Sequence, residues 1–234
     1  MSIDATAAQT PPAGLRETKK QETRQLLSDA ATRLFLDQGF ERTTIAEIAA
    51  AARVAKKTVT NYFPRKEDLA LDHQDAFVGS LARTVADRAP GESALTALRR
   101  AFAEAADTTD PVAGFAPRDF ARMIADSPTL TARLRDLHDL REAALAEALA
   151  KTTGVGAGAD AGADTGAGAD ARRGDLAART AAALFGAVHR MLFERVQRLT
   201  LDGRDAAEIR ADVTAAAEHA FALLEPSLGD YATA

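Results

Sequence analysis

The chain contains no cysteine and no tryptophan, and only 2 of its 234 residues are tyrosine. Without cysteine there is no disulfide framework, no thiolate metal site and no thiol nucleophile. Aromatic residues make up 5 % of the sequence and β-branched runs of strand length are scarce, whereas Ala and Leu abound. That balance favours an all-α fold. No apolar run approaches the roughly 20 residues needed to cross a bilayer, because charges interrupt every helical segment. No apolar stretch of signal-peptide length follows a basic start. A cytoplasmic protein with no membrane partner is therefore expected, with a core large enough to need no covalent staple.

The usual parts of an active site are missing as well. There is no P-loop and no Gly-x-Ser-x-Gly elbow, and the four histidines, His73, His138, His189 and His219, have no metal-ligand spacing with one another. Asp72 and His73 are adjacent, so they do not present two ligands on one helix face. No catalytic residue, metal ligand or cofactor is assigned, and the expectation is a protein that binds rather than catalyses.

The formal net charge of −5 argues against nucleic acid only if it is spread evenly. It is not. Leu15 to Asp72 holds 11 Lys+Arg against 9 Asp+Glu, a surplus of +2, while the remainder holds 18 against 25, a deficit of −7. Between Arg53 and Lys66 stand Arg53, Lys56, Lys57, Arg65 and Lys66 with no acid among them. By charge alone this run reads equally well as a solvated face.

Punctuation divides the chain into segments. Residues 1–16 carry Pro11, Pro12 and Gly14 and no period, which suggests a disordered tail. A helix is expected from about Lys19 to Gln38, with Leu27, Ala31, Leu34 and Phe35 on one face and Gly39 as its C′ stop. Residues 152–174 repeat Gly-Ala-Gly-Ala-Asp and read as a flexible loop, with a mobile lid as the alternative. Two long amphipathic patterns complete the chain. One sets Leu184, Val188, Leu192, Val196 and Leu199 along one side, and the other, after Gly203, sets Ile209, Val213, Ala216, Ala220, Leu223 and Leu224.

The most informative stretch is 39–69. Thr44 and Glu47 have the spacing of a capping box, so a helix should start at Ile45 and bury Ile45, Ile48, Ala49 and Ala52. Arg53, Val54 and Ala55 then supply a three-residue turn. Lys56 to Phe63 fit a two-turn helix that buries Val59 and Phe63, and Pro64 breaks the chain before a further helix near Arg65. Left outward are Lys56, Lys57, Thr58, Thr60 and Asn61. Lys can donate to guanine O6 and N7, Asn can pair with adenine N6 and N7, and hydroxyls and Tyr62 suit phosphate oxygens. Thr44 and Lys66 are expected to touch the backbone of the DNA from neighbouring helices. Arg53, Arg65 and Thr60 suit either solvent or phosphate.

From about Lys19 to Leu71 the sequence resembles the TetR family of bacterial regulators. The resemblance is carried by Leu34-Phe35, Gly39-Phe40, Thr43-Thr44-Ile45, Ile48-Ala49, Val54, Lys56, Thr58-Val59, Tyr62-Phe63-Pro64 and Lys66-Glu67-Asp68-Leu69. It implies a three-helix DNA-binding domain at 17–72, with the helix-turn-helix at 44–63. It further implies a helical ligand-binding and dimerisation domain at 73–234, a homodimer on a palindromic double-stranded operator, and release by a small molecule. The chain departs from the family pattern in having Arg53 where a Gly is usual, Ala55 where a capping Ser is usual, and Lys57 and Thr60 where Gly and an aromatic are common.

After Asp72 the resemblance fades. Apolar residues able to line a cavity between helices include Phe102, Phe115, Phe120, Met123, Ile124, Leu137, Leu184, Phe185 and Phe193, with His189 as a polar partner for a hydrophobic effector; ordinary core packing is the alternative for each. Residues 89–102 faintly resemble a branch of the family with acyl-CoA-like ligands. The expected function is a ligand-released repressor, and the alternative is a constitutive or architectural DNA-binding protein without ligand release.

Overall fold

The computed structural model describes residues 13–152 and 167–233, with side chains over 17–152 and 172–233. Among the described residues all regular structure is helical, and none of the helices is long and apolar enough to cross a membrane. The chain forms two compact units, Met1–Asp72 and His73–Ala234.

The first unit contains α1 (Ala13–Gln38), α2 (Ile45–Ala51), α3 (Lys56–Tyr62) and α4 (Lys66–Ala70). α1 ends where Gly39 takes φ +89°, and its amide bonds back to the Phe35 carbonyl at 3.0 Å. A left-handed residue with no Cβ closes the helix at little steric cost. Leu27, Ala31 and Phe35 of α1 meet Phe40, Ile48, Val59, Phe63 and Leu69, all within 3 % of full burial. Each large apolar side chain so buried contributes about 1.5–3 kcal/mol. Leu34 and Ile45, expected on core faces, are only half-buried.

The second unit holds α5 (Gln74–Ala86), α6 (Ala94–Asp107), α7 (Arg118–Asp126), α8 (Pro128–Thr152), α9 (Ala167–Leu201) and α10 (Ala206–Leu228), with a 3-10 turn at Pro111–Ala113. Five helices close into a ring in the spatial order α5, α8, α9, α10, α6, with α6 returning to α5. Inside lie Leu95, Leu98, Leu145, Leu149, Phe185, Leu192, Val196, Val213 and Phe221. Gly114 joins the 3-10 turn to this core. It has φ +103°, and a Cβ there would meet the Phe193 carbonyl oxygen at 2.9 Å.

Several boundaries differ from those read in the sequence. Of the tail 1–16, residues 13–16 already belong to α1, and of the loop 152–174, residues 167–174 already belong to α9. In both cases a packed helix is extended outward, which needs no new nucleation and adds one bond per residue. Residues 1–12 and 153–166, the rest of those two segments, lie outside the described residues. Leu184 and Leu223, placed by periodicity on core faces, are 41 % and 68 % exposed. α9 and α10 each present an apolar side chain away from their own core, because a 3.6-residue repeat does not tell an inner stripe from an outer one.

Candidate functional site

The Thr44 side chain accepts from the Glu47 amide at 3.2 Å, and Glu47 Oε2 accepts from the Thr44 amide and hydroxyl at 2.8 Å each. These bonds hold the Glu47 carboxyl below its usual range. Both orphan donors at the start of α2 are thereby satisfied reciprocally. The turn after α2 places Arg53 at φ +55°, a region that disfavours a residue with a Cβ. α3 then begins at Lys56 from Ala55, which supplies no side-chain cap.

On α3 the geometry separates two kinds of side chain. Val59 is fully buried, and Phe63, the residue that ends the helix, is 1 % exposed. Lys56, Lys57, Thr60 and Asn61 are exposed, while Thr58 and Tyr62 are half-buried. The Thr60 hydroxyl is taken up by the Lys57 carbonyl at 3.1 Å. Arg24 secures the far end of the helix from α1, donating to the Tyr62 carbonyl at 3.5 Å and the Asp72 carbonyl at 3.1 Å while its guanidinium lies 4.4 Å over the Phe63 ring. Sequence reasoning missed Arg24, because its partners lie 38 and 48 residues away.

Lys66 is placed differently from the expectation. Its ammonium donates to the carbonyls of Phe40 at 2.9 Å, Thr43 at 3.2 Å and Glu41 at 3.5 Å, and stands 4.2 Å over the Phe40 ring. Three acceptors use the three ammonium protons. Lys66 therefore fastens the loop between α1 and α2, and the donor expected to face phosphate is spent inside the fold.

Two short helices joined by a tight turn, the second displaying cationic and amide side chains over a buried aromatic, can seat in a DNA major groove. Residues 27–72 match the model of bacterial regulatory proteins of the tetR family. Over these residues the chain is similar to the DNA-binding domain of TetR-family regulators. Curated relatives agree with it. The HTH-type transcriptional regulator TcmR of Streptomyces glaucescens is 31 % identical over 147 residues, 61 % of this chain and 65 % of its own length. The HTH-type transcriptional regulator AcrR of Shigella flexneri is 34 % identical over 99 residues, 40 % of this chain and 46 % of its own. The chain thus spans less than two thirds of either relative. Among solved structures, FadR of Thermus thermophilus, a TetR-family repressor in complex with lauroyl-CoA, is 24 % identical with a TM-score of 0.40, covering 84 % of this chain and 94 % of that one.

Beyond the TetR-type domain, α5, α6, α8, α9 and the 3-10 turn line a partly open cavity of about 340 Å³. Of the residues expected to line a pocket, Phe102 and His189 do so here. Phe185 is fully buried in the core and Phe193 stacks on His138 and Phe77, at 5.0 and 5.7 Å between ring centres. Met123 and Ile124 are buried on α7, and Phe120 is half-buried there. None of these five lines this cavity. The wall contains instead Arg141 and Ser80, which sequence reasoning passed over. A signal existed, since Arg141 fills the i+4 slot of the stripe Leu137, Leu145, Leu149.

Proposed function

We propose that the chain is a transcriptional repressor, acting as a homodimer on a palindromic operator through α3 and released when a small molecule enters the cavity of the second unit. The observation that carries the DNA reading is the composition of α3, where Lys56, Lys57 and Asn61 are exposed above a buried Val59. Lys57 and Asn61 read bases, and Lys56, Thr58 and Tyr62 position the backbone, while Thr44, expected to join them, spends its amide and hydroxyl protons on Glu47. Dimerisation is supported by apolar side chains left outside the core on the last two helices. Leu184 and Met191, two turns apart on α9, are each 41 % exposed, and Leu223 on α10 is exposed too.

Release requires only that the ligand bind more tightly to a state unfit for the operator. The cavity, with buried Arg141 and His189 on its wall, supports this reading over a constitutive DNA-binding protein. The test is selection of duplexes from a random pool by the full chain. The result expected is an inverted repeat with half-site centres about one helical turn apart, roughly 34 Å, or somewhat more. Recovery of no preferred sequence would leave only non-specific binding and overturn the reading.

A further inference from the structure

Arg141 is 4 % exposed, and among the described residues no carboxylate pairs with it. Its hydrogen bond runs from Nε to the Ser80 hydroxyl at 2.9 Å, and its guanidinium rests 4.5 Å over the Phe77 ring. Arginine is almost never buried without an anion, because a desolvated cation is costly unless paired. The side chain lines the 340 Å³ cavity, and so does His189, which is 5 % exposed with Nε2 lacking any partner. His189 is otherwise wedged between the rings of Phe102 and Phe221, at 5.9 and 5.6 Å. A cation and an imidazole thus border a space whose apolar wall includes Leu81, Phe102, Val112 and Ala113 and whose polar wall includes Arg83, Thr84, Asp87 and Asp110.

We infer that this cavity binds a small organic monoanion, its carboxylate held by the Arg141 guanidinium, which the Ser80 hydroxyl orients while donating to the Phe77 carbonyl at 2.7 Å, and its apolar body laid against Phe102 and Val112. The inference rests on the ligand-binding reading above and names the chemistry of the ligand. A single charge is favoured because the wall carries two carboxylates of its own. Asp110 is occupied, accepting from the Val112 amide at 2.8 Å, and Asp87 is exposed next to the exposed Arg83. Neither pairs with Arg141, and with Arg83 also on the wall two cations face two carboxylates, so no surplus positive charge is left for a second negative one. Burial holds the Arg141 guanidinium down to about 9, which agrees with a cation awaiting its counter-ion.

The experiment measures thermal stability of the full chain with benzoate and hexanoate at millimolar concentration, against benzamide, hexanamide and inorganic phosphate. Calorimetric titration then follows for wild type, Arg141→Met and Ser80→Ala. Binding to the folded state raises apparent stability by mass action. At least one acid should stabilise the wild type while its amide and phosphate do not, and Arg141→Met should weaken that acid about tenfold to a hundredfold. Ser80→Ala should weaken it less, and provides the test if Arg141→Met loses the helical signal of the wild type. Absence of stabilisation by both acids, equal binding of acid and amide, or undiminished affinity in the Arg141→Met and Ser80→Ala variants would each overturn the inference. Repressor function fails separately. An acid that binds through Arg141 but leaves operator affinity unchanged supports the cavity chemistry and contradicts release.

Discussion

The Lys66 ammonium sits 2.9 Å from the carbonyl oxygen of Phe40 and 4.2 Å above the ring of the same residue. A cation so placed ties the start of α4 to the loop that positions α2. Lys66→Met keeps the stem and removes the donor, leaving carbonyls without their partner at a cost of about 1–3 kcal/mol. Thermal denaturation should register that loss. The salt dependence of DNA affinity, measured where the variant is still folded, should keep its wild-type slope, whereas a phosphate contact would reduce it by about one.

Two positions in the helix-turn-helix are locally unfavourable and open to improvement. Arg53 holds φ +55°, and Ala55 starts α3 with no capping oxygen. Arg53→Gly relieves a left-handed conformation that costs roughly 1–2 kcal/mol, partly offset by the greater freedom of Gly when unfolded. Ala55→Ser should add about 1 kcal/mol through a cap to the N2 or N3 amide. Both variants should melt at higher temperature than the wild type. A fall in melting temperature for either would contradict the backbone geometry of the turn.

Specificity should reside in Lys57 and Asn61, which are exposed on α3. Replacing either by Ala should cost about 1–3 kcal/mol on the selected operator and blur preference at particular base pairs if the contact is bidentate. Lys56→Ala should instead weaken all sequences alike and lower the salt slope by about one. Competition against single-base operator variants separates the two patterns. Equal loss on every sequence for Lys57→Ala and Asn61→Ala would remove both from base reading.

Acid should destabilise the second unit. Burial pushes His138 down to about 4, with Arg141 and Arg190 adding to the effect and Asp139 opposing it. His189 is likewise pushed well below 6.5, by burial first and then by Arg141 and His138. Between about pH 6.5 and pH 4 the unfolded chain binds protons that the folded one refuses, so stability present above 6.5 is lost as pH falls through that window. The slope of melting temperature against pH should be positive there, and shallower in His138→Phe. An unchanged slope in that variant would mean that His138 is not buried in its neutral form.

What the sequence made legible was mostly local. The Thr44–Glu47 box, the Gly39 stop and the Pro64 break each depend on residues within a few positions, and all three appear in the structure where the spacing puts them. Lys66 could not be read that way, since its acceptors lie 23 to 26 residues upstream and only the folded loop turns them toward it. Arg141 was hidden differently. Its neighbours Arg135, Asp136, Asp139 and Glu142 make the segment look like a solvated face, and only the packing of α8 against both α5 and α9 buries one of its cations. Leu184 and Leu223 failed in the opposite direction, because periodicity marks an apolar stripe without saying which surface it faces.

The coupling between DNA and ligand is tested most directly by titrating one against the other. The acid that most stabilises the full chain is titrated calorimetrically with and without saturating operator duplex. A repressor released a hundredfold by its effector has about 2.7 kcal/mol of coupling, and by linkage the operator must weaken the acid by the same factor. Ligand affinity should therefore fall about a hundredfold when the operator is bound. Identical affinity in both titrations would contradict ligand-controlled repression and leave a constitutive DNA-binding protein.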